Sequence, residues 1–291
     1  MQKEVYVIDL FCGCGGFSAG AQQAGAKVIL AVDCWKEALE VHEANHPETE
    51  HVCTTLGGDM DEFASFLTGF IDLNVPSGSH VHLHASPPCQ EISKANPNRN
   101  AQMGMKLVNW SLELVTRVNP TTWTLEQVCH PQINSLISTH GGMVVQMDKL
   151  GIPTTRKRVV MGNYCFEQLN AYECRKRVSM QDVLHKLKFT PPVGVNAQSN
   201  GSQPCKAFYR SLDCPSYTIT GHHPSFYDTT AKRGYTIPLQ VVEALHAFPN
   251  GYASNLSGSM RQKDLRKMVA NSVPPLLSYL ILQHIQAYPV P

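Results

Sequence analysis

The chain has 291 residues, 43% hydrophobic and 16% charged, which is enough to bury one substantial core with a small second one attached, and which excludes a disordered polymer. Its net charge of +1 hides an asymmetry, since residues 1–150 carry 16 Asp/Glu against 8 Lys/Arg and residues 151–291 carry 7 against 16, which directs the second half toward a polyanion. The apolar run Val5–Leu10 is too short to span a membrane and lacks the layout of a signal peptide, so an intracellular protein with no membrane partner is expected.

From the N-terminus, strand-length apolar runs at 5–10 and 28–32 alternate with helix-like stretches at 19–24 and 36–44, the rhythm of a parallel sheet covered by helices. The first turn, Asp9-Leu10-Phe11-Cys12-Gly13-Cys14-Gly15-Gly16, has glycines suited to a tight turn and close approach to a nucleotide-like ligand. Gly13, Gly15, Gly16 and Gly20 do not form the dinucleotide spacing, so an adenosine ligand without phosphates fits this loop better. Asp33 ends the second strand about 20 residues on, where an acid accepts ribose hydroxyls. Asp59, after Gly57-Gly58, is placed to accept from an adenine amino group, with helix capping an equal alternative for either acid.

The next strand, His80–Ala85, puts three histidines on one face; packing beneath a helix is favoured there over a metal site. It runs into Ser86-Pro87-Pro88-Cys89-Gln90, where prolines fix the backbone beside a thiol just past a buried strand. Residues 91–105 are read as a loop able to close over a site, with Ser93, Asn96 and Arg99 facing a nucleic-acid backbone. Trp123-Thr124-Leu125 forms another strand that delivers Glu126 at its end. Beyond Gly162 periodicity fades, with basic clusters, Pro191-Pro192 and a loop-like run at 196–204. Pro274-Pro275 opens a final helix over 276–285. The resulting division is 1–162 a first domain, 163–235 a small second domain, 236–267 a returning segment, and 268–291 a helix completing the first domain. Ten scattered cysteines without a Cys-x-x-Cys pair argue for reduced thiols and against structural zinc.

Taken together, DLFCGCGG, SPPCQ, LEQV, GIPTTRKR and ANSVPP occur in the order and approximate spacing of the cytosine-C5 DNA methyltransferases, which the chain resembles from end to end. The resemblance implies an α/β fold, with 1–162 the catalytic and cofactor-binding domain, a Rossmann-like sheet for S-adenosylmethionine, and 163–235 a small irregular target-recognition domain. It also implies that Cys89 attacks C6 of a cytosine flipped out of double-stranded DNA, that Glu126 protonates N3, and that Arg158, with Arg156 beside it, binds O2. Asp9, Phe11, Gly13, Gly15, Gly16, Asp33, Cys34, Asp59, Pro87, Asn271 and Ser272 become the expected cofactor contacts, and Gln90, Ser93, Arg99 and Thr218 the nucleic-acid contacts. No metal is expected, the protein is expected to be a monomer, and a cognate restriction endonuclease is the expected companion. Gln127, Thr154 and Ala270 stand where the family usually has asparagine, glutamine and glycine, departures that touch orientation rather than the reacting groups. Rival readings are a tRNA cytosine methyltransferase, an idle nucleic-acid binder on the same scaffold, and a nicotinamide-dependent oxidoreductase that the loop spacing and SPPCQ oppose.

Overall fold

The computed structural model describes residues 4–89, 92, 100–164, 166, 169, 172, 177–192, 194–198, 209–220, 225–228 and 230–287. Seven strands form the main sheet: β1 (Val5–Leu10), β2 (Lys27–Asp33), β3 (Glu50–Cys53), β4 (His80–Ala85), β5 (Thr122–Val128), β6 (Gly142–Gln146) and β7 (Lys157–Gly162). Their spatial order is β3-β2-β1-β4-β5-β7-β6, parallel except for β7, which runs antiparallel to both neighbours. β1 and β4 are buried at every residue, as central strands covered on both faces must be. Chain order reverses between β1 and β4, so the crevice at their C-terminal ends is the topological switch point at which open α/β sheets take ligands.

Helices α1 (Gly16–Gln23), α2 (Lys36–Asn45), α3 (Met60–Asn74), α4 (Ala101–Val118) and α5 (Pro131–His140) connect these strands. α3 starts where Asp59 accepts from the Glu62 N–H at 2.9 Å, and α4 where Asn100 accepts from the Met103 N–H at 3.2 Å. The Asn100 cap means that 101–105 are helical rather than part of the loop expected over 91–105; Gln90, Ser93, Asn96 and Arg99 lie outside the described residues.

A second sheet, β11-β10-β8-β9, is built from β8 (Val195–Gln198), β9 (Tyr209–Arg210), β10 (Ser225–Asp228) and β11 (Arg233–Thr236), and α6 (Met180–Lys186) precedes it. Residues 195–198 are therefore a strand, not the loop expected at the start of 196–204, because β10 and β9 pair with both edges of a segment too short to show its own periodicity. α7 (Leu239–Leu245), α8 (Gln262–Asn271) and α9 (Pro275–Ala287) complete the described elements. α8 runs across the expected division at 267/268, and the chain breaks from helix only at Ser272. Among the described residues the small lobe shares its core with the main one: Met180, Val183, Leu184, Ile219 and Phe226 pack into one cluster with Cys14, Ala19, Ala38 and Val41.

α9 returns to lie on α1 with very close backbones. A Cβ at Gly20 would overlap the Pro275 carbonyl and the Ser278 hydroxyl, so only glycine permits this crossing, which seats the C-terminal helix under the glycine loop. Among the described residues, no helix is long and apolar enough to cross a membrane.

Candidate active site

The glycine loop divides by accessibility. Phe11 (φ 57°) and Gly13 (φ 54°) adopt the left-handed conformation, and a Cβ at Gly13 would meet only open space. For Phe11 that conformation costs on the order of 1–3 kcal/mol, a strain usually retained where a ligand site needs it. Gly15 and Gly16 face inward, and a Cβ at Gly16 would strike the Val273 carbonyl and Ser272, so these two serve packing. Asp33 clamps the loop: its carboxylate accepts from the Gly13 N–H and the Trp35 N–H, each at 2.8 Å. A carboxylate has about four lone-pair directions, so Asp33 keeps capacity for ribose hydroxyls on its half-buried outer side.

Cys34 is exposed beside Asp33, and Asp59 is exposed at the head of α3, where it both caps that helix and lines a cleft of about 330 Å³ with Thr54, Glu62, Phe63 and Trp110. Pro87 is buried between the ends of β4 and β5, and the Ser86 hydroxyl donates to the Phe11 carbonyl at 3.2 Å, tying the two loops of the crevice together. This donor set fits S-adenosylmethionine: open space over Gly13, carboxylates for hydroxyls and an amino group, and a charge that would repel a pyrophosphate. Asp9 stands apart from it. The carboxyl is fully buried, accepts from Ser18 Oγ at 2.7 Å, and is pushed up to about 7 by burial.

The second cluster lies at the ends of β4, β5 and β7. Glu126, 7% exposed, forms an ion pair with Arg158, Nε to Oε1 at 2.9 Å, across the antiparallel register that sets Val128 opposite Arg158. Arg156 is buried; it donates to the Ala270 carbonyl at 2.8 Å and the Ser272 carbonyl at 3.4 Å. Burial, then the neighbouring Arg158 cation, pushes Arg156 down to about 9, so it stays protonated at neutral pH, and the Glu126 and Cys89 acids act on it in the opposite sense. Cys89, Glu126, Arg156 and Arg158 thus converge on one place. Cys89 itself is half-buried and packs against the apolar cluster of Ile92, Val108, Leu125 and Val128.

The sequence marks Gln127 and Thr154 as departures that touch orientation, and the structure shows what each of them holds. Gln127, fully buried, donates from Nε2 to the Pro87 carbonyl at 2.9 Å and accepts from the Val128 N–H at 2.8 Å, which pins the loop before Cys89 to the end of β5. Its extra methylene relative to asparagine was the visible signal. Thr154 donates to the Tyr217 carbonyl at 3.2 Å, Thr155 N–H to Ser216 at 2.8 Å and Ser216 N–H to Pro153 at 2.9 Å, docking the small lobe on the arginine loop. Thr218 follows directly and is exposed. Arg210 stacks 4.0 Å over Tyr217 and donates to the Pro215 carbonyl, so it braces this segment. Asn271 is exposed at the end of α8, whereas Ser272 turns inward to Met268 and Cys14.

The strand histidines are packed: His80, His82 and His84 all bond Thr122 or Thr124, and His84 stacks on Phe17 of α1 with ring centroids 3.6 Å apart.

The family model for C-5 cytosine-specific DNA methylase matches residues 5–188. The Type II methyltransferase M.HgiDI of Herpetosiphon aurantiacus is 24% identical over 97% of this chain and 94% of its own length. M.HindV of Haemophilus influenzae, also a Type II methyltransferase, is 23% identical over 96% and 95%. Among solved structures, a putative DNA modification methyltransferase encoded within an E. coli prophage superposes with a TM-score of 0.66 at 18% identity, covering 97% of this chain and 98% of that one. The S. pombe Dnmt2 methyltransferase superposes with a TM-score of 0.68 at 14% identity over 98% and 99%.

Proposed function

The chain belongs to the C-5 cytosine-specific DNA methylase family, and on that premise we propose that it methylates C5 of a cytosine flipped out of duplex DNA, through a covalent bond from Cys89 Sγ to C6, with S-adenosylmethionine as donor. The enzyme class, a DNA cytosine-5 methyltransferase, follows from the C-5 cytosine-specific family together with the Type II methyltransferases that match along nearly the whole chain. The observation that carries the mechanistic proposal is the convergence of Cys89, Glu126, Arg156 and Arg158 beside the switch-point crevice.

The aromatic C5 is a poor nucleophile, and addition of the Cys89 thiolate at C6 turns the ring into an enamine-like species whose C5 can attack. When bound, the cofactor supplies an electrophilic sulfonium methyl. Glu126 takes up the proton released when the Cys89 thiol ionises and passes it to N3 while the Arg158 guanidinium faces O2, so the ion pair between them gives way to two hydrogen bonds to the base. Arg156 keeps the loop ahead of β7 bonded to the carbonyls at the end of α8, a supporting role rather than contact with the base. Phe11, Gly13, Asp33, Cys34, Asp59 and Pro87 border the cofactor, with Asn271 at the rim and Ser272 behind it; Asp9, Gly15 and Gly16 support the loop from below. Loss of the C5 proton to water then restores the C5–C6 double bond and expels the Cys89 thiolate, N3 returns its proton, and no side chain is assigned as the base.

We assign target recognition to the 163–235 lobe, whose exposed Thr218 sits on the segment docked against the arginine loop. Gln90, Ser93 and Arg99 are proposed to touch the nucleic acid. A cognate restriction endonuclease is the companion that the Type II names support. The test is transfer of labelled methyl to duplex DNA and to tRNA in parallel, followed by mapping of the product. Label in DNA at a fixed motif is expected; label in tRNA alone would reassign the substrate.

A further inference from the structure

Behind the glycine loop lies a polar chain, buried at Tyr252 and His46 and reaching the surface at Gln22, that the methyl-transfer chemistry does not use. The Tyr252 hydroxyl, in the turn after α7, donates to the Cys14 carbonyl at 2.9 Å and the Gly15 carbonyl at 3.1 Å. The same oxygen lies 2.7 Å from His46 Nε2, and His46 Nδ1 lies 2.7 Å from the Gln22 side-chain amide. These groups come from α1, α2 and a turn more than 200 residues downstream, and all of them converge on the two peptides that open α1.

The phenol proton is shared between the two carbonyls, and the phenol oxygen also stands within hydrogen-bond reach of His46 Nε2, while on the other side of the ring Gln22 Oε1 faces Nδ1. Burial pushes His46 down to about 4, so the ring is neutral at neutral pH and its single N–H serves either the phenol oxygen or the amide oxygen. Phe248 packs against the Tyr252 ring at 4.9 Å between centroids, which holds the ring in place independently of its hydroxyl.

We propose that Tyr252, oriented by His46 and Gln22, is a positioning residue for the cofactor loop: it locks the Cys14 and Gly15 peptides so that Gly13 and Asp33 meet the bound S-adenosyl group in a fixed geometry. The inference rests on the glycine loop being the S-adenosylmethionine site. Neither side chain touches reacting atoms, so its signature is in cofactor affinity rather than in the methyl-transfer step.

Tyr252→Phe removes the hydroxyl and keeps the ring. Calorimetric titration of the full-length protein with S-adenosylhomocysteine is expected to give a dissociation constant raised about tenfold, the effect of stranding buried carbonyls in a ligand-facing loop. The methyl-transfer rate at saturating S-adenosylmethionine is expected to stay within about twofold of the parent, which a merely destabilised protein would not show. His46→Gln, still able to donate to the phenol oxygen, should retain most of the affinity, whereas His46→Leu should match Tyr252→Phe; this pair decides the matter if Tyr252→Phe folds poorly. Unchanged affinity in Tyr252→Phe and His46→Leu would overturn the inference while leaving the cofactor reading intact. Failure of the parent protein to bind S-adenosylhomocysteine would overturn both.

Discussion

Gln127→Leu tests the architecture of the candidate active site most severely, because one side chain there holds the nucleophile loop through two buried hydrogen bonds. Leucine fills nearly the same volume but neither donates to the Pro87 carbonyl nor accepts from the Val128 N–H, contacts now made at 2.9 and 2.8 Å. Each stranded buried group costs about 1–3 kcal/mol, so a loss of roughly 2–6 kcal/mol in unfolding free energy is expected from the two. Pro87 stands two residues before Cys89, and a displacement of about 1 Å at a reacting atom lowers rates on the order of a hundredfold. Urea denaturation followed in parallel with single-turnover methyl transfer at a temperature where the variant remains folded separates the two effects. The expected result is a lower midpoint together with a rate at saturating S-adenosylmethionine reduced at least about tenfold. A destabilised variant that transfers methyl at the parent rate would refute the claim that Gln127 positions the Cys89 loop.

Gly20→Ala should destabilise the fold: alanine gains about 1 kcal/mol in helix propensity, but its Cβ overlaps the Pro275 carbonyl, and overpacking against backbone costs about 1–3 kcal/mol. A raised urea midpoint would contradict that balance. Stability should also fall as pH drops below about 6.5, because burial holds His46 near 4, His82 and His246 near 3, and His42 and His84 well below the usual histidine range. Those rings bind protons in the unfolded chain before they do in the folded one, so each contributes stability that is present above its unfolded value near 6.5 and is lost on acidification, at up to about 1.4 kcal/mol per pH unit. Asp9 works in the opposite sense, its contribution lost as pH rises from about 4 toward 7, and one acid does not offset five histidines. A urea midpoint that is flat between pH 7 and 5 would show that these rings are not buried neutral.

The parts of the fold legible in the sequence are those where one residue pattern suffices. β1 and β2 are apolar runs between turn residues, β4 and β5 alternate polar with apolar residues, and α9 announces itself by Pro274-Pro275. β3 was invisible because Glu-His-Val-Cys has no apolar pattern and exists by pairing with β2. β8 likewise depends on partners distant in sequence. In the site, Cys89, Glu126 and Arg158 were readable because their chemistry is local to short motifs. Gln127 and Tyr252 were not, since their function lies in which distant carbonyls they reach. The glycines split for the same reason: spacing marks all of them, but only the close approach of Ser272 and Val273 shows that Gly16 packs inward while Gly13 faces open space.

The central claim, a covalent bond from Cys89 to the cytosine ring, is tested most directly with a duplex carrying 5-fluorocytosine at the methylated position, where no proton can leave C5 and the cysteine cannot be eliminated. With S-adenosylmethionine present, a denaturation-resistant complex is expected, its mass equal to protein plus methylated oligonucleotide, and its peptide map placing the bond on Cys89, with none formed by Cys89→Ala. Methyl transfer to unmodified DNA by Cys89→Ala at a rate near the parent's, or an adduct mapped to any other residue, would contradict the account.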